Sequence, residues 1–490
     1  MRPLDLAVIL AYFALTVAVG LRGGRGTTTA GDYFLGARDL AAWPVLLSIV
    51  ATETSALTVI SVPGIGATGN LAFLQLAFGY LAGRIAVARW LLPGYFEGEQ
   101  DTAYARLERR FGPGTRRTAS VVFLATRFLG DSVRIFAGAI PLAVLTGWPV
   151  PLAIAAMGLV TLGYTTLGGL KAVIWTDVLQ LTVYVFGGVA ALVVATGLAG
   201  GAGAMLARAG EAGRLVMLDL RVDLTVPYTL LGGLVGGALL SAASHGTDHL
   251  VVQRLLATRS LRDARVALVG SGIVVIGQFL LFLLAGTAIW AAGLAPAGTR
   301  GDEVFPRFVI AQLPPGLSGL VIAGVLAAAM STVSSSINAL ASSLTHDLYA
   351  SLTGRRDPAH LLRVGRRVSV LWGVLLVGGA LAFHLVGRRD TPVVVLALSI
   401  ASVTYGGLLG SYLLAGAVPA ARGRDAVTGL ATGVAAMLVV LFAGPLAALP
   451  GLGFLAPFAR LAWPWYVALG TLLTFVVGLA SSRLGTRSAP

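Results

Sequence analysis

Apolar stretches of about 20 residues, the length that crosses the hydrocarbon core of a bilayer, recur from one end of this chain to the other, separated by short polar loops. Thirteen spans are expected, near 4–22, 40–66, 71–93, 117–146, 150–167, 174–199, 228–256, 264–293, 312–350, 365–387, 391–420, 425–449 and 462–483. Backbone amides and carbonyls in hydrocarbon must find partners within their own segment, so spans of this kind are α-helices. The longer ones would tilt or project beyond the bilayer. The pattern therefore predicts an all-α polytopic membrane protein with about 13 transmembrane helices. No polar stretch is long enough for a separate soluble domain, so 1–490 reads as a single transmembrane domain. Leu4 to Leu21 could pass for a signal peptide, but no A-x-A-like cleavage site follows it, and it reads as a retained first helix.

Two spans are interrupted. The second carries Thr52-Glu53-Thr54-Ser55 and then Pro63-Gly64-Ile65-Gly66; the seventh carries Ser241, Ser244, His245, Gly246, Thr247 and Asp248 inside an apolar run. Polar, helix-breaking segments survive at membrane depth only where protein or a water-filled cavity satisfies the freed backbone groups. Each opens a block of five spans, and breaks at matching positions of two halves point to a transporter's binding site. Two unrelated packing kinks are the alternative. The organisation expected is a leading helix at 4–22, a first five-helix repeat at 40–199, a second at 228–420 and two trailing helices at 425–483.

Composition fits this class and changes little. Hydrophobic residues make up 57% of the chain and charged residues 11%, where a soluble fold carries roughly a quarter charged; the mean hydropathy is +0.86. A net charge of +14 would point to nucleic acid in a soluble chain, but here the arginines sit in short loops. Arg22 and Arg25, the set Arg106, Arg109, Arg110, Arg116 and Arg117, the set Arg254, Arg259, Arg262 and Arg265, the set Arg355, Arg356, Arg363, Arg366 and Arg367, and Arg422 with Arg424 all fall on one side. The other side is sparser, with Arg208, Arg214, Arg221 and Arg300 and an exceptional pair, Arg388 and Arg389. The positive-inside rule then predicts an N-out, C-in orientation. With no cysteine, disulfides and thiolate metal sites are excluded.

Candidate chemistry lies in the ninth, sixth, second and seventh spans. In the ninth, positions 328, 331, 332 and 335 share one helical face and present a row of hydroxyls. Hard cations take oxygen ligands, and hydroxyls together with carbonyls of a neighbouring unwound helix could supply them; close packing of small residues is the alternative. Asp177 opens the sixth span, where it is either a functional buried charge or an N-terminal cap. Buried arginines suit carboxylate recognition, and Arg84 has no local partner; Asp131 reaches Arg127 and Arg134 from the same face, which favours an internal ion-pair cluster for those two.

Four stretches in register resemble the sodium:solute symporter family: Asp32-Tyr33-Phe34-Leu35-Gly36-Ala37-Arg38; Tyr164-Thr165-Thr166-Leu167-Gly168-Gly169-Leu170-Lys171-Ala172-Val173 leading to Thr176-Asp177; Thr247-Asp248-His249 with Val252-Gln253-Arg254; and Met330-Ser331-Thr332 running on to Asp347-Leu348-Tyr349. The resemblance implies a LeuT-type 5+5 inverted repeat and alternating access driven by Na⁺. It also implies a Na⁺ site formed by the carbonyls of Ala51, Thr54 and Ala328 with the hydroxyls of Ser331 and Thr332. Some members hold a second Na⁺, and Asp177, Ser334 and Ser335 match that pattern. Glu53 falls where proline-transporting members carry an aspartate. Leu57, Ala77 and Tyr80 stand where sugar transporters place polar groups, which favours an organic acid or amino-acid-like solute over a sugar. Thr52, Glu53, Ser55, Thr58, Gln75, Arg84, Ser244 and His245 are the candidate cavity residues.

The expected partners are a small solute and the lipid bilayer of a cell (plasma or inner) membrane, with Na⁺ as the coupling ion, no organic cofactor, no nucleic acid and no obligate protein partner. Proton coupling through Glu53 or Asp177 is one alternative. A membrane-embedded metalloenzyme using His245, Asp248 and His249 is another; against it, no H-E-x-x-H, Walker A loop or G-x-S-x-G elbow occurs.

Overall fold

The computed structural model describes residues 2–98, 100–386 and 393–487, and among these the regular elements are helical, joined by one isolated bridge between Leu40 and Thr258. Arg388 and Arg389 lie outside the described residues. The chain begins with α1 (Pro3–Gly23) and a short α2 (Ala30–Leu35). Thr29 caps α2 by accepting from the amide of Asp32, whose carboxylate accepts the Thr29 amide in return. There follow α3 (Ala42–Glu53), α4 (Ala56–Thr68), α5 (Leu74–Ala86), α6 (Ala105–Phe111), α7 (Pro113–Thr146), α8 (Val150–Leu198) and α9 (Ala202–Glu211). The second half holds α10 (Gly237–Gly246), α11 (His249–Leu256), α12 (Leu261–Ala291), α13 (Gly301–Gln312), α14 (Leu317–Ser343), α15 (Ser351–Thr353) and α16 (Pro358–Val386). The described chain closes with α17 (Val393–Ala417), α18 (Gly423–Leu441), the short α19 (Ala443–Ala447) and α20 (Ala456–Ala459), and α21 (Pro464–Arg487). Among the described residues, seven helices are each long and apolar enough to cross a membrane, or eight with α3 and α4 taken as one bent span. The outer surface is correspondingly apolar, with Leu159, Phe186 and Val193 all more than half exposed, a face suited to hydrocarbon.

Both expected interruptions are present, and the first is placed more narrowly than the sequence suggested. α3 ends at Glu53, Thr54 and Ser55 are extended, and α4 leaves at 70° to α3. Pro63 and its neighbours lie inside α4 rather than breaking it. In the second half α10 stops at Gly246; Asp248 is extended and caps α11 by accepting the Leu250 amide at 2.9 Å.

A third break falls within α8. Gly169 sits at φ 61°, ψ −158°, a conformation closed to residues with a Cβ, and divides α8 into two legs. An added Cβ would also stand 2.5 Å from the Tyr33 carbonyl. Asp177 is about two turns beyond this point and is fully buried, so it is not the helix cap that its local sequence allowed.

α14 forms the axis of the molecule: within its most apolar stretch, 94% of residues are buried. It packs on α1, α7, α8 and α16. The loops gather into two sets. At one end Arg38 donates to the Gln100 carbonyl at 2.6 Å, Arg259 N–H to the Leu40 carbonyl at 3.2 Å, Arg116 to Asp347 at 2.7 Å and Arg110 to the Pro419 carbonyl at 2.7 Å. At the other, Arg2 donates to the Leu313 carbonyl at 2.9 Å, Arg208 to the Ala291 carbonyl at 2.7 Å, and Arg214 to the Ala67 carbonyl at 2.7 Å. Loops assigned to one side by charge thus meet one another in space.

α4 and α12 approach backbone to backbone. A Cβ on Gly286 would lie 1.8 Å from the Pro63 carbonyl oxygen, and one on Gly66 2.1 Å from that of Leu283. Carbonyls of packed helices cannot rotate aside, so even a methyl group must separate the helices. Gly286→Ala is expected to lower stability by about 1–3 kcal/mol, read as a depressed thermal unfolding midpoint of the purified protein. Gly277→Ala, on the same helix but with open space around the new methyl, is the matched control and should stay at the wild-type midpoint.

Candidate ion and solute site

The α3–α4 break leaves the last carbonyls of α3 without intrahelical partners. The Thr54 amide takes the Val50 carbonyl at 3.0 Å, and the carbonyls beyond it, including that of Ala51, are the free ones. α14 passes the break and packs against both α3 and α4. On it, Ser331, Thr332, Ser334 and Ser335 are all buried. Thr332 donates to the Ala328 carbonyl at 3.2 Å, Ser334 to the Ser331 carbonyl at 3.1 Å, and Ser335 shares a hydrogen bond of 3.1 Å with Thr52. The Thr54 hydroxyl accepts from Gln278 of α12 at 2.8 Å. Of this row, Ser335 meets the end of α3 through Thr52, while Thr332 and Ser334 are bonded along α14.

Asp177 stands at the inner edge of this row. One carboxylate oxygen accepts from Ser331 at 2.6 Å; the other accepts from Ser48 at 2.5 Å and from Arg254 at 3.2 Å. Arg254, counted among loop arginines by sequence, is completely buried. It also donates to Ser48 at 2.9 Å, to the Leu250 carbonyl at 2.7 Å and to Ser335. Two opposite charges out of water hold only with nearly every donor and acceptor satisfied, and here they are. Of the residues matched to a second cation, Asp177 and Ser335 thus share their corner with a guanidinium carried by α11, whereas Ser334 donates along its own helix. Sequence reasoning missed Arg254 because two residues separate it from the span's expected end. The available signal was that Asp177 needed a partner and had none on its own helix.

A cavity of about 210 Å³ opens beside the break. Thr52, Glu53, Ser55 and Thr58 line it from α3 and α4, Ser241, Ser244 and His245 from α10, and Arg127 and Arg134 from α7. Phe73, Tyr228 and Phe279 form an aromatic wall, Phe73 lying 5.1 Å from each of the others between ring centroids. Six of the eight candidate cavity residues fall on this surface. The other two are corrected. Gln75 is used structurally, donating to the Tyr228 carbonyl at 2.9 Å and accepting the Asp219 amide. Arg84 is fully buried away from the cavity surface, paired with Glu53 and donating to Ser271 at 2.6 Å; its partner came from α3, out of reach of any local pattern.

The other arginines are paired as well. Arg134 meets Asp131 at 3.2 Å, as the spacing suggested, whereas the closest carboxylate to Arg127 is that of Asp248 at 2.6 Å, with Asp131 at 3.5 Å. Arg127 also donates to Tyr405 at 2.9 Å. This pairing takes Asp248 away from any metal. His249 turns elsewhere, its Nδ1 accepting the Ala103 amide at 3.3 Å and its Nε2 within 3.0 Å of Ser342, while His245 faces the cavity. Among the described residues no group of three metal-binding side chains converges.

The sodium:solute symporter family model matches residues 33–433, which carry both breaks, the α14 hydroxyls and Asp177. The chain belongs to the sodium:solute symporter family. It is 30% identical to human sodium-coupled monocarboxylate transporter 1 over 447 residues, 89% of this chain and 73% of that protein. It is 29% identical to the human sodium/iodide cotransporter, over 88% of this chain and 68% of that one, and 29% identical to the rabbit (Oryctolagus cuniculus) sodium-dependent multivitamin transporter, over 88% and 69%. Family and relatives are transporters, not enzymes, which removes the metalloenzyme reading. In fold the symporter resembles a Na⁺-coupled sialic acid symporter in an outward-open, substrate-bound state, with a TM-score of 0.86 at 24% identity over 99% of this chain and 98% of that one. A nucleobase-cation-symport-1 family transporter gives 0.60 at 14% identity, over 95% and 96%. The architecture is thus an all-helical transporter fold with LeuT-like neighbours.

Proposed function

We propose that this protein imports a small organic anion together with Na⁺ by alternating access across a cell membrane. The observation that carries the reading is the set of buried α14 hydroxyls on a helix packed against both sides of the α3–α4 break, beside a cavity lined by two arginines. In the proposed site the carbonyls of Ala51, Thr54 and Ala328 and the hydroxyls of Ser331 and Thr332 ligate Na⁺. Thr332 releases its bond to the Ala328 carbonyl to do so, and a cation at this point offsets the closing of the break.

The charge balance of the cavity supports co-transport. Glu53 pairs with Arg84, and Arg127 and Arg134 with Asp248 and Asp131, so the empty cavity carries no net charge. An anion entering alone would bring an uncompensated charge out of water; one entering with Na⁺ does not. Arg134 is the docking point for the carboxylate, because it is a fifth exposed in side chain and bonded at one nitrogen to Asp131, which leaves donors facing the cavity. Monocarboxylates, iodide and vitamins are named as cargo among the relatives, and a monocarboxylate suits both the arginine and the volume.

The topology proposed with this function has thirteen spans, N-out and C-in: α1, α3–α4, α5, α7, the two legs of α8, α10–α11, α12, α14, α16, α17, α18 and α21. Spans two to six and seven to eleven form the inverted repeats, and the arginine-rich loop set is cytoplasmic. Uptake of labelled monocarboxylates into proteoliposomes tests the function. Accumulation is expected with an inward Na⁺ gradient and not with K⁺ in its place. Uptake indifferent to Na⁺ but abolished by collapsing a pH gradient would assign proton coupling instead.

A further inference from the structure

His245 and Ser241 lie one turn apart on α10 and both line the cavity. They are buried, 3% and 1% exposed, yet the His245 Nε2 and the Ser241 Oγ each lack a hydrogen-bond partner. The other ring nitrogen of His245 is occupied. Nδ1 lies 3.2 Å from the Ser241 carbonyl, which can only accept, and 2.8 Å from the Ser244 hydroxyl. Nδ1 is met by these two contacts, and Nε2 is the ring nitrogen left facing the cavity, a donor in one tautomer and an acceptor in the other. Across from it, at 3.7 Å, is Oε2 of Glu53, which also accepts from Arg84. The ring nitrogen and the carboxylate face each other over a gap too wide for a direct hydrogen bond, and a hydroxyl able to donate or accept stands beside them. Leaving such atoms unmet in a buried site is costly.

We propose that the Glu53–His245–Ser241 corner is a subsite for a neutral hydrogen-bond donor on the solute, so that this symporter prefers carboxylic acids bearing a hydroxyl over the plain acid of the same carbon skeleton. A hydroxyl is both donor and acceptor, so one placed there can bridge the Glu53 carboxylate, Nε2 in either tautomer and Ser241, meeting both orphaned atoms together. A full ammonium fits less well: Arg84 already neutralises Glu53, so a second cation would enter a corner with no net charge to receive it. The aromatic wall of Phe73, Tyr228 and Phe279 takes the hydrocarbon skeleton, and Arg134 the carboxylate. The inference rests on the anion–Na⁺ symport reading above.

The test is Na⁺-driven uptake of paired acids by the full-length protein in proteoliposomes: propionate, 2-hydroxypropionate, 3-hydroxypropionate and 3-aminopropionate, compared by kcat/KM. At least one hydroxy acid is expected to exceed propionate by about tenfold or more, because a site built for a hydroxyl discriminates strongly against its absence. Ser241→Ala should lower that ratio several-fold, and His245→Gln, should Ser241→Ala fold poorly, provides the same readout. Equal kcat/KM for propionate and both hydroxy acids in the wild type overturns the subsite while leaving symport standing. A preference for the amino acid over both hydroxy acids also overturns it, in favour of a cation subsite. Ratios unaltered by the substitutions would place the discrimination elsewhere. If no acid is taken up in a Na⁺-dependent way, the symport reading fails and this one with it.

Discussion

Replacing Ser331 and Thr332 by alanine raises the Na⁺ concentration needed for half-maximal uptake, by about tenfold for each hydroxyl removed. A hydrogen bond to a charged group contributes about 1.5–3 kcal/mol, and loss of an oxygen ligand to a dehydrated cation is of similar size; each 1.4 kcal/mol is a factor of ten. The two residues differ in their other duties. Thr332 is bonded to the carbonyl one turn before it, Ala328, whereas Ser331 also donates to Asp177 at 2.6 Å. Ser331→Ala should therefore have the broader effect, disturbing the Asp177 corner as well as the ion. The measurement is a Na⁺ titration of uptake at fixed solute; half-saturation unchanged in both variants would sink the ligand assignment.

The largest loss of stability is expected from Arg254→Met. It removes one partner of a completely buried ion pair and leaves Asp177 charged among Ser48, Thr52 and Ser331, and breaking such a pair by one side costs about 3–5 kcal/mol. The double variant Asp177→Asn, Arg254→Met removes both charges and should recover much of that loss, because a neutral amide still accepts from the serines. Arg254→Met alone should also be stabilised by added Na⁺ more than the wild type is, since a cation can take the place the guanidinium leaves. Thermal unfolding with Na⁺ and with choline, for all four members of the cycle, separates these effects. Equal midpoints for wild type and the single variant would mean that the pair contributes nothing.

Hydrophobic periodicity made most of the fold legible, because a backbone in hydrocarbon has so few options. It located both interruptions, since Thr52 to Ser55 and Ser241 to Asp248 are conspicuous in apolar surroundings. It overestimated the first one: Pro63 looked like part of a break but is accommodated within α4. At the site, what could be read was whatever lay on one helix. The hydroxyl face of α14 and the Asp131–Arg134 pair are of this kind, three or four residues apart. What could not be read was long-range pairing. Arg84 lacked a visible partner because Glu53 is on another helix, Asp248 looked available until Arg127 crossed from α7, and Arg254 looked like a loop residue. Asp177 was ambiguous for the same reason, as a cap and a buried charge share one local sequence and only the position of the Gly169 break separates them.

The pairing of every one of these interior arginines has an electrical consequence. Glu53 with Arg84, Asp131 and Asp248 with Arg134 and Arg127, and Asp177 with Arg254 cancel within a few ångströms, so the transporter's own side chains contribute little net charge to the field when the protein changes shape. Membrane voltage then acts on the cargo, at about 2.3 kcal/mol per elementary charge per 100 mV. One Na⁺ travelling with one monocarboxylate would be electrically silent. Any steady current measured alongside solute uptake counts the Na⁺ ions beyond the first.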